Sequence, residues 1–330
     1  MKKYLKFTYK TIIIYCIAML ILLYPMPYYI SSGGGISDIN DKFTIENGYK
    51  SEGSFNLSYV SQLDATVSSY IMSFFMPNWE REKVEEYQVT SNETAVDINN
   101  RGKIQLQRAN QNGVLLAYKL AGKTVNIKDT KYYVGYILNE QVKKIKVGDI
   151  LYKVNDKEVV NFNEVRDAAK KYDKVKITVK RDDKIIDETI ESITDETDNS
   201  KYLGLAFFEL FDYELEPKIE FKFDANEYGS SAGFMTTLAV YNTLIPEDLT
   251  HGLKIAGTGT ILDDGTVGEI GGVNYKLIGA VYGNADIFFV PSGDNYEDAM
   301  KLKKEKNYKI EIVEVKNIND AIKYLENLKK

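Results

Sequence analysis

An uncharged run of twenty residues, 11–30, follows a short N-terminal segment that contains four lysines. A helix of about 20 mainly apolar residues is long enough to cross a lipid bilayer. Positive charge favours the cytoplasmic side of such a helix, and the next basic residue is Lys42. The sequence therefore predicts a cytoplasmic tail at 1–10, a transmembrane helix at 11–30, and a single-pass cell-membrane protein whose C-terminal domains are extracytoplasmic.

A cleaved signal peptide is the alternative interpretation of this segment. Pro25 and Pro27 could break the helix, and the small residues 31–33 could form a cleavage site. A lipoprotein is excluded because Tyr15, which is not a small residue, precedes Cys16. Cys16 is the single cysteine, so the rest of the chain has no intrachain disulfide and no cysteine-based zinc site.

Length and charge limit the partners of the chain. A length of 330 residues allows about two compact domains beside the anchor. A formal net charge of −6 argues against nucleic acid as a partner. No G-x-x-x-x-G-K-[ST] loop and no cluster of metal-ligating residues occur in the sequence, so we expect no ATP, no metal and no other cofactor.

Residues 31–125 have the weakest pattern. We interpret them as a linker and an N-terminal extracytoplasmic segment, with the glycine-rich and polar stretch 33–52 as the linker proper. A short strand is expected at 55–60, a charged helix at 80–87 and a second helix at 104–120. The apolar and aromatic residues in 68–79 are interpreted as packing under the next domain or lying near the membrane surface.

Residues 126–195 are predicted to be β-rich. A strand at 133–138 is followed by Gly148-Asp149-Ile150 in a turn and strand, by a helix at 164–171, and by a hairpin with its turn at 181–184. This order of elements resembles a bacterial PDZ domain. The resemblance implies a peptide partner that adds a strand between the first strand and the helix. The groove residues implied are Tyr133, Val134, Gly135 and Tyr136.

The loop before Tyr133 departs from the PDZ pattern, since it reads Lys-Asp-Thr-Lys-Tyr rather than Gly-Leu-Gly-Phe. A β-rich spacer without a peptide ligand is the alternative interpretation of this region. Residues 200–330 alternate predicted strands and helices and are interpreted as a separate α/β domain. Helices are expected there at 231–244, 275–282, 295–305 and 319–328.

Two glycine-bearing segments of this last region carry the candidate chemistry. The first reads Gly229-Ser230-Ser231-Ala232-Gly233. It fits a tight strand-to-helix turn, in which serine caps the helix and glycine permits close approach. It also fits the G-x-S-x-G pattern of an α/β-hydrolase, but His251, the only histidine, comes too soon after it. The third interpretation is a serine nucleophile whose base is a lysine.

The second segment, 268–276, supplies that lysine. It contains Gly268, Gly271 and Gly272 and ends at Lys276, which is followed by Leu277 and Ile278. Free lysine is a poor base at neutral pH because its pKa is near 10.4. Burial among apolar side chains disfavours the ammonium and lowers the pKa, so that a neutral amine can accept the serine proton.

Together these segments resemble the proteolytic domain of Lon-type serine proteases. Ile255-Ala256-Gly257-Thr258-Gly259-Thr260-Ile261 and Ala285-Asp286-Ile287-Phe288-Phe289-Val290-Pro291 also match that family's pattern. With the anchor and the PDZ-like region in front, the chain is similar to membrane-anchored PDZ–Lon peptidases of Gram-positive bacteria, some of which process secreted pheromones.

The resemblance implies an α/β (α+β) proteolytic domain and residue roles. It makes Ser231 the nucleophile, Lys276 the base and Thr258 a neighbour of the amine, with Gly229, Ala232 and Gly233 supporting the turn. Two positions depart from the pattern. Ser230 stands where the family commonly has proline, and Tyr228 stands where ATP-dependent members have aspartate.

The sequence thus predicts an ATP-independent serine endopeptidase that acts on secreted or membrane-tethered peptides and proteins. The alternative is a catalytically inactive binding scaffold with the same folds. The presence of both Ser231 and Lys276 favours the enzyme.

Overall fold

The computed structural model describes residues 2–195, 197–222 and 227–328, with side chains from Thr8 onward. Its helices are, in chain order, α1 (Lys2–Leu22), α2 (Val67–Met72), α3 (Ala95–Leu120), α4 (Asn163–Lys171), α5 (Gly233–Leu244), α6 (Val273–Tyr282), α7 (Asp294–Lys306) and α8 (Ile318–Glu326). Its strands are β1 (Pro25–Asp38), β2 (Phe43–Ile45), β3 (Ser54–Thr66), β4 (Glu80–Lys83), β5 (Thr124–Ile137), β6 (Ile150–Val154), β7 (Lys157–Glu158), β8 (Lys174–Arg181), β9 (Lys184–Glu191), β10 (Ile193–Thr194), β11 (Lys201–Tyr202), β12 (Leu205–Glu216), β13 (Ile219–Phe221), β14 (Lys254–Gly257), β15 (Thr260–Ile261), β16 (Val267–Gly268), β17 (Ile287–Pro291) and β18 (Glu311–Val315).

The larger α/β layer is a six-stranded sheet with the order β18-β17-β14-β3-β1-β4. Strands β18, β17, β14 and β3 run parallel to one another, whereas β1 pairs antiparallel with both β3 and β4. The side chains of successive residues in β17 point to opposite faces of the sheet, and both faces are covered by helices. Ile287 and Phe289 join the core under α3, α5 and α8, and Phe288 and Val290 join the core under α6 and α7. The mixed α/β class expected from the sequence is confirmed.

The segment expected to be a linker is part of this sheet. Residues 33–38 lie in β1, and the register pairs Ser37 with Leu57. Residues 54–57 pair in parallel with 254–257, so β3 is a central strand beside the C-terminal domain. These pairings join residues about 200 positions apart, which local sequence patterns do not reveal.

The charged helix predicted at 80–87 is not present in the structure. Residues 80–83 form β4, in which Arg81 pairs with Ile30, and only 84–87 form a short 3₁₀ turn. Pairing with the edge of β1 stabilises a strand at 80–83 more than the weak helix propensity of these residues stabilises a helix.

The apolar N-terminal helix ends eight residues earlier than predicted. Helix α1 ends at Leu22, and residues 25–30, which the sequence placed in a transmembrane helix, belong to β1, where Tyr29 and Ile30 are buried. Pro25 and Pro27 fit this boundary, because proline lacks the N–H that a continuing helix needs. Across the part of the chain that the structure describes, no helix combines the length and the apolar character needed to cross a membrane.

A second sheet, with the order β12-β5-β6-β8-β9, contains most of the predicted PDZ-like region, and β7 pairs with β6. Its core packs under α4. Arg181, in the predicted hairpin turn, forms a bidentate ion pair with the buried Asp149 of the Gly-Asp-Ile turn, with Nε–Oδ1 and Nη2–Oδ2 distances of 2.6 and 2.7 Å. Strand β12 extends this sheet to Glu216, beyond the boundary expected near residue 200. The β-rich region is therefore inserted within the α/β body rather than placed before it.

Helix α3 joins the inserted region to the α/β body. On one side Ile104 packs with Val147, Phe208 and Leu210 of the inserted region. Gln111 makes two hydrogen bonds to the backbone of Phe211, at 2.6 and 2.8 Å. On its other side α3 packs against α5, so one helix contacts both parts of the molecule.

Helix α6 packs unusually close to β1. A Cβ added at Gly279 would lie 2.8 Å from both the backbone N and the backbone O of Gly35, a separation that real Cβ atoms essentially never show. The same close approach occurs between Gly33 and Ile278, at 2.8 Å. The glycines at 33–35, which suggested a flexible linker, instead permit this helix–strand contact.

Gly279→Ala should therefore destabilise the fold, although alanine favours helix by about 1 kcal/mol over glycine. Because the new methyl group meets backbone rather than a side chain that could rotate away, we expect a loss of about 1–3 kcal/mol and a melting temperature lower by several degrees. Thermal unfolding followed by circular dichroism measures this. Gly271→Ala is the matched control, since nothing lies within 4 Å of a Cβ there. Equal melting temperatures for both variants would contradict the packing argument.

Candidate active site

Ser231 lies in the turn that leads into α5, and its side chain is half-buried. Gly229 has a φ of 103°, which an L-residue with a side chain rarely adopts, and its N–H donates to the Gly102 carbonyl of α3 at 2.9 Å. Ala232 is the N-cap residue of α5 and is buried. A Cβ at Gly233 would lie 2.7 Å from Ile261, so glycine allows the helix to begin against the neighbouring strand.

Lys276 is buried, with an exposed fraction of 5%, and belongs to the first half of α6. Its Nζ donates to Thr258 Oγ1 at 3.0 Å. Thr258 is fully buried directly after β14, and its N–H donates to Phe289 O at 3.2 Å. Among the described residues no carboxylate pairs with this amine, and burial lowers the pKa of Lys276 to about 7. A substantial fraction of the amine is thus neutral at neutral pH.

The start of α6 is held in place from two directions. Gly272, its N-cap, has a φ of 69° in the left-handed region, where glycine carries no steric penalty. The Ser58 hydroxyl of β3 donates a short hydrogen bond to the Lys276 carbonyl. The buried Asn295 accepts from Ile270 N–H at 2.8 Å and donates to Ile270 O at 3.0 Å. Lys276 is therefore carried on a loop and helix start that are fixed by side-chain contacts.

Backbone contacts bring the two candidate segments to neighbouring positions. The Ser231 carbonyl accepts from Gly259 N–H at 3.0 Å, and the Gly259 carbonyl accepts from Phe234 N–H at 3.1 Å. Gly259 directly follows Thr258, which contacts the Lys276 amine. Ser231 and Lys276 are thus connected through residues 258–259, although the hydroxyl and the amine make no hydrogen bond to each other among the described residues.

Tyr228 occupies the position where ATP-dependent Lon enzymes have aspartate. Its hydroxyl donates to Gln62 Oε1 of β3 at 3.4 Å. Burial raises the pKa of Tyr228, and the negative charge of Asp64 acts in the same direction, so the phenol stays neutral. Tyr228 therefore links the turn to β3 but supplies no negative charge at neutral pH.

The four predicted groove residues lie in one strand of the inserted sheet. Tyr133, Val134, Gly135 and Tyr136 lie within β5, which sits between β12 and β6 in the sheet. Phe207 pairs with Val134, Phe208 pairs with Tyr133, and Tyr133 also pairs with Ile150 of β6. Tyr133 is thus paired on both sides, and the register gives Tyr136 the partner Ala206 of β12, so a peptide strand added along β5 stays a prediction.

Three contributors to this site were not anticipated from the sequence. Ser58 and Asn295 are single polar residues in otherwise ordinary stretches, and no motif marks them. Asn110 of α3, which hydrogen-bonds to Thr236 of α5, lies in a segment predicted only as a helix with an apolar side. A buried polar residue on a predicted apolar face is the one signal that could have identified Asn110.

Comparison with known families places the candidate site inside a recognised domain. Residues 225–327 match the family model described as the Lon protease (S16) C-terminal proteolytic domain. This match supports a serine peptidase and covers the segments of Ser231, Thr258 and Lys276. No curated protein matches the chain.

Among solved structures, the chain is similar to the PDZ domain of an SdrC-like protein from Listeria monocytogenes. The two are 18% identical, and the alignment covers 23% of this chain and 85% of that one, with a TM-score of 0.22. A TM-score this low carries no argument about the fold. Within this mixed α/β chain, the family similarity thus concerns residues 225–327, which match the Lon proteolytic domain.

Proposed function

We propose that the protein is an ATP-independent serine endopeptidase in which Ser231 is the nucleophile and Lys276 is the general base. The observation that carries this proposal is the buried Lys276 amine, which contacts Thr258 Oγ1 at 3.0 Å and has a pKa of about 7. A structural lysine would ordinarily be exposed and charged, whereas a base for neutral-pH chemistry needs this lowered pKa.

The reaction begins when the neutral Lys276 amine accepts the proton of Ser231 Oγ. The oxygen forms a bond to the carbonyl carbon of the scissile peptide, and the carbonyl oxygen becomes an oxyanion. Collapse of this tetrahedral intermediate breaks the C–N bond, and the Lys276 ammonium returns its proton to the leaving amine. Water then attacks the acyl-serine with the same amine as base, which releases the acid product and restores the hydroxyl.

The start of α5 stabilises the oxyanion in this scheme. The first N–H groups of a helix have no partner within the helix and favour negative charge. Phe234 N–H is already used by the Gly259 carbonyl. The N–H group of Ala232, the N-cap residue, therefore binds the oxyanion, and Thr258 orients the lysine amine towards the hydroxyl.

The proposal extends to membrane attachment through α1 and to substrates that are secreted or membrane-tethered. The lysine-rich start and the uncharged run after it support this location. Apolar side chains of α1 are exposed, with Ile14 at 67% and Leu20 at 72%. The segment 71–76, at the end of α2 and directly after it, adds further exposed apolar residues, among them Phe75 at 80%. The backbone of Val67 bonds to Tyr24, so both apolar surfaces lie at the same end of the β1–β3 pair.

Covalent labelling distinguishes the enzyme from an inactive scaffold. The full chain in detergent micelles, without ATP, is treated with a fluorophosphonate probe and digested, and the modified peptide is identified by mass spectrometry. The expected adduct lies on Ser231, because only a hydroxyl beside a neutral base is strongly nucleophilic. No adduct, or an adduct at another serine, would contradict the proposed dyad.

Protease added to intact cells tests the location. We expect digestion of the chain after residue 33, since the four lysines before the apolar run retain the N-terminus inside. A cytoplasmic protein in the same cells is the control for membrane integrity. Complete protection in intact cells, followed by digestion after membrane disruption, would overturn the extracytoplasmic location. This result would not bear on the proposed dyad of Ser231 and Lys276.

A further inference from the structure

A pocket opens between α3, α5 and the ends of β1 and β3, next to the turn of the proposed nucleophile. Its empty space measures about 360 Å³ with the mouth included. The wall is mainly apolar and includes Ile39, Leu57, Leu106, Ala232, Asn110 and Thr236. Ala232 directly follows the proposed nucleophile Ser231 in the chain, so the pocket shares a residue with the turn that holds this serine.

One buried polar group in this wall lacks a partner. Asn110 has an exposed fraction of 3%, and its Oδ1 accepts from Thr236 Oγ1 at 3.0 Å. Its Nδ2 makes no hydrogen bond within the described part of the chain. An unsatisfied buried donor destabilises a protein, and such a group in a native structure calls for an explanation. A ligand atom that enters the pocket and accepts from Nδ2 would remove this cost.

The charges near the pocket compensate each other. Lys42 and Glu227 line the pocket and form an ion pair with an Nζ–Oε1 distance of 2.6 Å. Among the residues that the structure describes, these two are the charged ones in the wall, so a charged ligand side chain would lose its hydration there without a further counter-ion. The pocket therefore favours an uncharged group with an apolar stem.

We propose that this pocket binds the side chain of the substrate residue whose carbonyl is attacked, and that it selects glutamine. The proposal rests on the proposed function, since it takes Ser231 as the nucleophile. A glutamine side chain has an apolar stem and an uncharged carboxamide, which pairs with Asn110 whichever way the Asn110 amide is turned. A leucine or methionine of similar length leaves Asn110 unpaired, and a site built to hydrogen-bond its substrate rejects analogues that cannot do so.

The test compares peptides that are identical except for one residue, which is glutamine, leucine, methionine or glutamate at the cleaved bond. Cleavage by the full chain in detergent micelles is measured as kcat/KM. We expect glutamine to be preferred over the other residues by about tenfold or more, which corresponds to one well-formed hydrogen bond. Asn110→Leu should abolish this preference and favour leucine. Gln107→Leu, at an exposed position of the same helix, is the matched control and should retain the wild-type order.

Binding to the Ser231→Ala variant gives a second readout that does not require catalysis. Calorimetry should show tighter binding of the glutamine peptide, and the difference should disappear in Ser231→Ala/Asn110→Leu. Circular dichroism establishes that the Asn110→Leu variants are folded. Equal cleavage of the glutamine and leucine peptides by wild type, with no change in Asn110→Leu, would overturn the pocket proposal alone. Absence of cleavage of every peptide, with no adduct on Ser231, would instead overturn the proposed function.

Discussion

Ser231→Ala is expected to abolish peptide cleavage, while Ser230→Ala retains most of it. Only Ser231 directly precedes Ala232, the N-cap of α5, and only its carbonyl is bonded to Gly259 beside the lysine contact. Removal of a nucleophile that acts together with its base lowers kcat by about 10³-fold or more. Mass spectrometry of a peptide digest at equal enzyme concentration measures the effect for both variants.

The paired serines make this experiment internally controlled. Both substitutions remove one hydroxyl from the same turn, so a general disturbance of the turn should affect both variants alike. Activity in Ser231→Ala, or a folded but inactive Ser230→Ala, would move the assignment to the neighbouring residue. Melting temperatures of the two variants should stay close to wild type, because among the described residues neither side chain makes a hydrogen bond.

Activity should rise with pH through an apparent pKa near 7, and Lys276→Arg should not restore it. Burial lowers the pKa of Lys276 to about 7, so the fraction of neutral amine increases as the pH climbs through this value. Below it, kcat/KM should fall about tenfold for each pH unit, as for any single ionisation that creates the base. Arginine stays protonated in proteins and cannot accept the serine proton. A pH profile of peptide cleavage, with and without ATP, checks both statements.

A near-normal rate in Lys276→Arg would show that the lysine acts as a charge or as a structural group. The stability of Lys276→Met provides an independent test of the lowered pKa. Between about pH 7 and the ordinary pKa of 10.5, the unfolded chain holds the lysine proton and the folded chain does not. Stability then rises with pH in wild type, because the unfolded state binds more protons.

Below pH 7 both states hold the proton, and the cost of burying the charge is present in full. Lys276→Met should therefore be more stable than wild type near neutral pH, and its advantage should shrink as the pH approaches 10.5. Melting temperatures measured at several pH values reveal this trend. Lys301→Met, at an exposed position, is the control and should show no such trend. A constant difference for Lys276→Met would contradict the lowered pKa.

The sequence was most informative in the C-terminal α/β region, where the candidate site residues lie in segments with a strong local pattern. The glycine-bearing segments around Ser231 and Lys276 predicted a domain that the family comparison supports, and helices near α5, α6, α7 and α8 were located to within a few residues. Such segments have distinctive glycines and strong helical periodicity, which are local properties. The roles of Ser231 and Lys276 themselves stay predictions until the variants are measured.

Long-range pairing was the part that local patterns could not predict. Residues 33–52 were interpreted as a linker because they are glycine-rich and then polar, yet Gly35 lies against Gly279 of α6. Strand β4 formed at 80–83 because β1 offers an edge there. The groove residues around Tyr133 were assigned from the order of elements, which did not indicate that β12 returns to pair with β5.

The antiparallel pair of β5 and β12 makes the inserted region separable in a simple way. The chain leaves the α/β body along β5 and returns along β12, and Ile127 is the direct partner of Tyr213. On the side of the α/β body, Leu215 belongs to the core of that body and Val125 packs against it. Tyr132 and Val134 belong to the core under α4. A two-residue turn can connect paired positions of antiparallel strands. Joining Ile127 to Tyr213 by Asn-Gly would thus excise residues 128–212 and leave a shorter, continuous α/β body with a single hairpin at the scar, in which Ile104 and Gln111 of α3 lose their contacts to the excised region.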